Sequence, residues 1–256
     1  MVVEINSSIK ILPNFFWLTL KEIKDLLRLN NFVNMDARSV ISTILLENYK
    51  NGNNYCSKED FNRWYIDQKV KYELEIEKIP LSSLKEWNID ELSIRNKRFF
   101  SVIGIKVETK SREISSWTQP ILKDTNIGLI GFLVKKIGGI RHFLVQAKVM
   151  PGNIDIIDLS PTISISDYKH LVGKGERIPF IEEFFYPSKK NIIYDRIQSE
   201  EGGRFYHVQN RYMIVEANDE KLHIPDNYMW ISYNQIMEFM PLGMFNVEAR
   251  SLIATL

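Results

Sequence analysis

The sequence predicts an α+β protein whose sheet is mixed or antiparallel. Residues 140–149 alternate apolar and polar side chains with period two, the pattern of a strand with one buried face. The pair Gly138-Gly139 joins this segment to an apolar run at 128–136, as glycine pairs do in tight hairpins. Helical patterns with a capping signal come late, after Ser232. Strands linked by hairpins, with helices following, are typical of α+β folds.

Composition limits the classes of partner. The 256 residues contain 33 lysines and arginines against 32 aspartates and glutamates, which argues against charge-driven binding of nucleic acid or anionic membranes. The single cysteine, Cys56, excludes an intramolecular disulfide, and the four histidines lack a zinc-binding spacing, so no metal is expected. Without a membrane-length apolar run or a signal-peptide pattern, we expect a cytoplasmic protein.

The two ends of the chain repeat each other. Residues 1–4 (MVVE) match 213–216 (MIVE), 17–19 (WLT) match 230–232 (WIS), and 33–40 (VNMDARSV) match 245–252 (FNVEARSL). Each copy is predicted to begin as a strand and to continue into a helix that starts with a capping box, at Thr19 and Ser232. A second short helix should follow in each copy. We therefore divide the chain into an N-terminal segment, 1–50, and a main module, 51–256.

Within the main module the pattern predicts further elements. The amphipathic stretch 61–70 is predicted to be helical, and 99–107 and 128–136 to be strands. Residues 72–79 look extended, 178–186 are predicted to be a helix or a loop, and 205–216 to be one long strand.

One polar row lies on the strand at 140–149. His142, Gln146 and Lys148 share the face opposite Phe143 and Val145, about 7 Å apart per two-residue step. Spacing alone favours a half-solvated strand over a ligand pocket. The turn at 151–153 (PGN) and the segment 160–162 (SPT), both close behind the strand, favour the pocket.

A second polar stretch, 199–207 (SEEGGRFYH), precedes the last long strand. Its glycines let the backbone approach a ligand closely. The neighbouring carboxylates Glu200 and Glu201 raise each other's pKa when partly buried, which suits proton transfer. Arg204 and Arg211 are suited to a diphosphate, because guanidinium groups bind phosphate in a bidentate manner. The alternative is a polar turn held by structural salt bridges.

Several common motifs do not occur in the sequence. There is no P-loop, no G-x-G-x-x-G and no G-x-S-x-G elbow. Cys56 lies in a polar loop and is not a candidate nucleophile.

These motifs resemble, in order, those of the NDP-hexose 2,3-dehydratases of deoxysugar biosynthesis. The resemblance covers essentially the whole chain and rests on seven stretches: 112–120 (REISSWTQP), 138–148 (GGIRHFLVQAK), 151–153 (PGN), 160–162 (SPT), 199–207 (SEEGGRFYH), 210–212 (NRY) and 246–250 (NVEAR). Members typically carry two tandem modules of Nudix-like fold, and this chain resembles the second module preceded by the tail of the first. The Nudix catalytic box is missing, so pyrophosphate hydrolysis is not implied.

The resemblance implies a lyase acting on a dTDP-4-keto-6-deoxyhexose without a cofactor. A base removes the C3 hydrogen, which the 4-ketone acidifies, and the C2 hydroxyl leaves as water. The resulting enol becomes a 3,4-diketo-2,6-dideoxy sugar. Such chemistry needs a base, an acid and a donor for the enolate oxygen.

Roles on these motifs are hypotheses from chemistry. We assign the base to Glu200 or His207, the leaving-group acid to Tyr168 or Glu201, and enolate stabilisation to Lys148. Trp117 is a candidate for stacking on thymine, against the more common fate of a core tryptophan. The predicted substrate-binding set comprises Trp117, Gln119, His142, Gln146, Asn153, Thr162, Glu201, Arg204, Asn210 and Arg211.

Three readings of the whole chain remain open. The first is a dehydratase active as a homodimer that replaces the missing tandem module, with the N-terminal segment at the interface. The second is a half-length module that binds dTDP-sugars and is inactive alone or needs a separately encoded first module. The third is a non-functional gene fragment.

Overall fold

A computed structural model describes residues 5–44, 55–85, 87–89, 93–96, 100–166, 177–217 and 222–256. The helices are α1 (Leu20–Leu27), α2 (Met35–Ile41), α3 (Lys58–Lys71), α4 (Ile181–Phe185), α5 (Tyr233–Phe239) and α6 (Val247–Ile253). The strands are β1 (Trp87–Ile89), β2 (Ser93–Asn96), β3 (Ser101–Glu108), β4 (Ser116–Lys123), β5 (Gly128–Ile137), β6 (Ile140–Val149), β7 (Ile157–Ser160), β8 (Ile163–Ile165), β9 (Ile192–Ser199), β10 (Gln209–Glu216) and β11 (Tyr228–Ser232). Short 3-10 helices span Leu81–Ser83, Lys189–Asn191 and Met240–Leu242.

The strands form two sheets. Strands β1 to β4 make an antiparallel sheet in chain order. The larger sheet has the order β11-β6-β5-β10-β9, with β7 beside β6 and β8 beside β5. Strand β10 runs parallel to β5 and antiparallel to β9, so this sheet is mixed. The predicted class, α+β with a mixed sheet flanked by helices, is confirmed.

The predicted hairpin at Gly138-Gly139 is confirmed. Both glycines have positive φ, 58° and 80°, as a two-residue turn of this kind requires. Residues other than glycine rarely adopt such backbone angles. The turn sets Ile137 opposite Ile140 and fixes the register of β5 against β6.

Beyond this hairpin the two strands separate. Strand β6 continues beside β7, and β5 continues beside β8. The buried Thr162 bridges the gap, because its Oγ1 accepts from the Leu133 amide at 2.8 Å and donates to the Leu144 carbonyl at 2.5 Å. Thr162 therefore has a structural role in joining the two strands, and its role in substrate binding stays a prediction.

The larger sheet has an apolar cluster on each side. Tyr212 and Ile214 of β10 belong to the first face, which packs against α3, α5 and α6 through residues such as Phe239. Met213 and Val215 belong to the second face, where Phe184 of α4 packs. Alternation along each strand thus decides which face a polar residue shares.

The internal repeat is visible in the fold. Helices α1 and α5 both begin with a complete capping box, Thr19 with Glu22 and Ser232 with Gln235. Helices α2 and α6 both begin at an asparagine whose side chain accepts from the backbone amide three residues later. The helical part of the predicted repeat is confirmed.

The strand predicted at the start of each copy can be compared only in the second copy, where residues 213–216 lie in β10 and the prediction is confirmed. In the second copy, Trp230 lies in β11 and pairs with Leu144 of β6. In the first copy, the matching residues 15–19 form no strand among the described residues. Residues 1–4, which belong to the same prediction, lie outside the described residues.

Other elements differ in detail from the predictions. Helix α3 and strand β3 are confirmed, and 178–186 contains the short helix α4. Residues 72–79, which are predicted to be extended, form neither a helix nor a strand. Strand β10 begins at Gln209 and not at Phe205, because 201–207 form turns tied to β4. None of the described helices combines the length and apolar composition needed to cross a membrane.

Candidate active site around Glu200

Glu200 follows directly on β9 and is buried on the first face of the sheet. Its carboxyl oxygen Oε1 accepts from Asn210 Nδ2 at 2.6 Å and from the Tyr212 hydroxyl at 2.9 Å. The second oxygen, Oε2, accepts no hydrogen bond from the described residues. One oxygen is therefore fixed by two donors, and the other has no donor among the described residues.

The environment of Glu200 raises the pKa of its carboxyl group. Burial is the largest cause, because it penalises the charged form, and the negative charge of Glu248 adds to it. The hydrogen bonds from Asn210 and Tyr212 and the positive charge of Arg38 act in the opposite direction. A carboxylate with a raised pKa is a stronger base than an exposed one, which suits proton abstraction near neutral pH.

Asn210 is held from the opposite side by strand β5. Its Oδ1 accepts from the Gly128 amide at 2.9 Å while its Nδ2 donates to Glu200. A Cβ added to Gly128 would lie 2.3 Å from that Oδ1 and 2.6 Å from the Ile165 carbonyl oxygen. The absence of a side chain at Gly128 is therefore what allows Asn210 to reach Glu200.

Arg38 enters this region from the N-terminal segment. Its guanidinium group donates to the Val33 carbonyl at 2.7 Å and to the Ser199 carbonyl at 2.9 Å, and it lies 5.3 Å from the centroid of the Tyr212 ring. The side chain is only 1% exposed. The same segment also lies along the outer edge of β9. There the Leu27 carbonyl accepts from the Tyr194 hydroxyl and from Gln198 Nε2. The Asn31 amide donates to the Ile197 carbonyl.

The turn that carries Glu201 to His207 is attached to β4. Leu122 exchanges backbone hydrogen bonds with Arg204 and Tyr206. Gln119 Nε2 donates to the Gly203 carbonyl at 2.8 Å, and its Oε1 accepts from Trp117 Nε1 at 2.6 Å. Trp117 and Gln119 therefore lie together beside the glycine turn, in a groove of about 420 Å³ that Arg112 also lines.

The charged residues of this turn make surface contacts. Arg204 Nε donates to Glu201 Oε2 at 2.6 Å, and the arginine is mostly exposed. His207 is exposed, has a left-handed backbone with φ 55°, and stacks on Tyr206. Neither Glu201 nor His207 hydrogen-bonds to the Glu200 carboxyl group, so the turn does not hold a second carboxylate against it.

Arg211 lies on the second face, away from Glu200. It is bound by Asp195 in a bidentate ion pair, with Nε to Oδ1 at 2.8 Å and Nη2 to Oδ2 at 2.6 Å. Arg204 and Arg211 engage different carboxylates, Glu201 and Asp195, and their joint binding of one diphosphate stays a prediction.

The polar row on β6 is also separate from Glu200. By alternation His142, Gln146 and Lys148 lie on the side of Leu144, which belongs to the second cluster. Lys148 Nζ donates to the Ser164 hydroxyl at 3.1 Å and to its carbonyl at 3.3 Å. In this structure Lys148 and Glu200 do not contact each other.

His142 is fully buried, and both of its ring nitrogens have backbone partners. Nε2 accepts from the Tyr55 amide at 3.1 Å, and Nδ1 lies 2.9 Å from the Ile140 carbonyl. Burial lowers the pKa of the imidazole, consistent with a neutral ring. His142 therefore has structural contacts in this chain, and its role as a substrate ligand stays a prediction.

Two further candidates complete the list. Asn153 lies in the turn after β6, and its backbone amide donates to Met150 at 3.1 Å. Tyr168, the predicted leaving-group acid, lies outside the described residues.

Sequence reasoning missed three members of the site: Arg38, Tyr212 and Glu248. The contact of Tyr212 with Glu200 can be recognised only from the structure, in which β10 brings the tyrosine hydroxyl to the carboxyl group. Arg38 and Glu248 both lie in the repeated segments, residues 33–40 and 245–252, and that repetition was the available signal.

Together, fold and site define an α+β protein with a buried carboxyl group positioned by two hydrogen-bond donors. A family model described as NDP-hexose 2,3-dehydratase matches residues 1–44 and 58–256. The chain belongs to this family.

Curated relatives carry the name dTDP-4-dehydro-6-deoxy-alpha-D-glucopyranose 2,3-dehydratase. The protein from Saccharopolyspora spinosa is 33% identical over 100% of this chain and 58% of its own length. Those from Streptomyces violaceoruber and Amycolatopsis orientalis are 32% and 34% identical, over 99% of this chain and 60% and 54% of their own lengths. The chain thus spans little more than half the length of these relatives.

Among solved structures, one similar chain is described as an ADP compounds hydrolase. It is 16% identical with a TM-score of 0.40, over 68% of this chain and 92% of that chain.

Proposed function

We propose that this chain takes part in the removal of water across C2–C3 of a dTDP-4-keto-6-deoxyhexose. The base takes the C3 hydrogen as a proton, the C2 hydroxyl leaves with a proton as water, and the enol product tautomerises to a 3,4-diketo-2,6-dideoxy sugar. No electrons are gained or lost overall, so we propose that the reaction needs no cofactor. The substrate class follows the names of the curated relatives.

The observation that carries this proposal is the Glu200 carboxyl group. It is buried, its pKa is raised, and Asn210 and Tyr212 fix Oε1 while leaving Oε2 without a donor among the described residues. A base needs one oxygen held still and another facing the proton. We assign the base to Glu200 in preference to His207, which is exposed.

The remaining roles are proposed from where each residue lies. Trp117 and Gln119 lie beside the glycine turn, within reach of the part of the chain that carries Glu200, and we keep them as candidates for the nucleobase. Lys148 and Gln146 lie on the second face, across the sheet from Glu200, so we do not assign them to the substrate molecule that Glu200 would deprotonate. Tyr168 remains the proposed leaving-group acid. Glu201 and Arg204 would bind substrate only if their mutual ion pair opened.

The test is turnover of the 4-keto sugar nucleotide, with the diketo product trapped chemically. Glu200→Gln keeps the shape and the acceptor oxygen but removes the base, so we expect the rate to fall by a factor of about 10² or more. Glu201→Gln is the matched control, since Glu201 lies one residue away, pairs with Arg204 and is not the proposed base. Equal rates for both variants would refute the assignment.

We further propose that the chain acts in the cytoplasm, as a homodimer joined through the N-terminal segment.

A second candidate function is a half-length module that binds dTDP-sugars and is inactive alone or needs a separate first module. The exposure of the N-terminal segment favours an association of one kind or the other. Trp17 is 67% exposed, whereas its repeat counterpart Trp230 is 9% exposed, and Val40 is 38% exposed against 0% for Leu252.

Mass in solution and turnover distinguish the two candidates. A dimer that dehydrates the sugar supports the homodimeric enzyme. A monomer that binds dTDP without turnover supports the half-length binding module. Calorimetric titration with dTDP, run on the same preparation, separates loss of binding from loss of chemistry.

A further inference from the structure

Helix α2 of the N-terminal segment carries a buried charge, the guanidinium group of Arg38. Arg38 is among the largest fully buried side chains, and none of the described residues forms a salt bridge with it. Burial of a guanidinium group without an ion pair is costly, so its retention needs an explanation. Its Nε has no hydrogen-bond partner among the described residues, which adds to that cost.

The contacts of Arg38 converge on Glu200 along two routes. The first route is the backbone: Nη2 donates to the carbonyl of Ser199, the residue that precedes Glu200. The second is the Tyr212 ring, 5.3 Å from the guanidinium carbon, whose hydroxyl donates to Glu200 Oε1. Arg38 does not hydrogen-bond to the carboxyl group itself, so any influence on Glu200 passes through its neighbours and through its charge.

The surrounding charges give this position a clear electrostatic consequence. The titratable groups on which the charge of Arg38 acts are Glu200 and the hydroxyls of Tyr194 and Tyr212, while Glu248 acts on Glu200 and Tyr212 with the opposite sign. The buried carboxyl group of Glu200 and the buried cation then share a region of low dielectric. Without the cation, Glu200 would hold its proton over a wider pH range and would be a base over a narrower one.

We propose that Arg38 is the positioning residue for Glu200, supplied to the site of the main module by the N-terminal segment. It holds the Ser199 carbonyl and the Tyr212 ring so that Oε1 stays between its two donors, and its charge favours the ionised carboxylate. This proposal rests on the role of Glu200 in the proposed function. It makes residues 5–44 a component of the site and not only a cover for the edge of β9.

Two variants separate the geometric role from the charge. Arg38→Lys keeps the positive charge but loses the planar fork that reaches both Val33 and Ser199. We expect kcat to fall roughly tenfold or more, because a misplaced base loses alignment, while the pKa of Glu200 stays close to that of the parent. Arg38→Met removes the charge as well, and the pKa of Glu200 should then rise.

The pKa of Glu200 can be measured without turnover. The ¹³C chemical shift of its side-chain carboxyl is followed against pH in the full chain, and the resonance is assigned by its absence in Glu200→Gln. The pH dependence of kcat/KM, where turnover is present, should shift in the same direction. Tyr212→Phe combined with Arg38→Met should shift the pKa by less than the sum of the single changes, since one route runs through Tyr212.

The outcomes are distinct. If Arg38→Lys folds and retains the parent kcat and the parent KM, the positioning role is refuted. If Arg38→Met folds and leaves the Glu200 titration unchanged, the electrostatic part is refuted; should Arg38→Met fail to fold, Arg38→Gln provides the same uncharged comparison with a polar group. Absence of dehydration by the parent chain counts against the proposed function alone, because the carboxyl titration still reports on Arg38.

Discussion

At the scale of single residues, Glu200 illustrates how a reactive group opposes stability. Burial raises the pKa of Glu200 above its ordinary value of 4.5, so the folded chain binds this proton more tightly than the unfolded chain. Between 4.5 and the raised value, the unfolded chain has lost the proton and the folded chain retains it. The contribution of Glu200 to stability is therefore present at pH below 4.5 and is lost as pH rises through the folded pKa.

This linkage predicts that Glu200→Gln is more stable than the parent at neutral pH. Glutamine keeps an acceptor oxygen for Asn210 and Tyr212 and cannot ionise, so it avoids the cost of a buried charge. We expect its free energy of unfolding in urea to exceed that of the parent at pH 8 and to converge with it toward pH 4. Glu201→Gln should stay within about 0.5 kcal/mol of the parent, as surface changes usually do. A destabilised Glu200→Gln at pH 8 would contradict this account.

At the scale of secondary-structure elements, the site depends on how closely β5 and β10 approach. The Cβ of Gly128→Ala would meet Asn210 Oδ1 at 2.3 Å and the Ile165 carbonyl oxygen at 2.6 Å, so Asn210 must leave Glu200 or the strands must part. We expect a stability loss of roughly 1–3 kcal/mol and a loss of turnover. Gly104→Ala in β3 is the control, since a Cβ there meets nothing within 4 Å. The two variants are compared by thermal unfolding and by product formation, and equal behaviour would disprove the close-approach argument.

The gap between β5 and β6 gives a second prediction at this scale. Thr162→Val preserves shape but leaves the buried Leu133 amide and the Leu144 carbonyl without the hydroxyl that joins them. We expect a loss of roughly 2 kcal/mol in the free energy of unfolding. Thr118→Val, on an exposed position of β4, should cost little. A cost at Thr162 no larger than at Thr118 would mean that the bridge does not hold the strands.

The elements also show what the sequence can and cannot predict. Capping at Thr19 and Ser232 and the turn at Gly138-Gly139 depend on residues within a few positions, so local patterns identify them. The pairing of Asn210 and Tyr212 with Glu200 depends on β10 lying beside β9, and the placement of Lys148 depends on which face of β6 meets which cluster. Alternation gives two faces but not their neighbours, and for that reason the predicted site mixed residues from both sides of the sheet.

At the scale of the whole molecule, the N-terminal segment has one side used and one side open. Leu27 and Arg38 are buried against β9 and Tyr212. The positions that match the core of the second copy are exposed, as Trp17 and Val40 show by comparison with Trp230 and Leu252. The same sequence pattern therefore packs under a sheet in one copy and faces outward in the other. In the proposed homodimer, this exposed side of the N-terminal segment would be the side that is covered.

The matched tryptophans test this difference directly. Trp230→Ser removes a ring from the core and should cost roughly 3–5 kcal/mol. Trp17→Ser removes a ring that is 67% exposed, so its effect on the free energy of unfolding should stay within about 0.5 kcal/mol. If the homodimer forms through this face, Trp17→Ser should nevertheless lower the mass measured by light scattering from dimer to monomer, because a large exposed aromatic ring is a typical anchor of an interface. If Trp17→Ser is as destabilised as Trp230→Ser, the N-terminal copy is part of the core. If the Trp17→Ser variant is still a dimer, the interface lies on another surface.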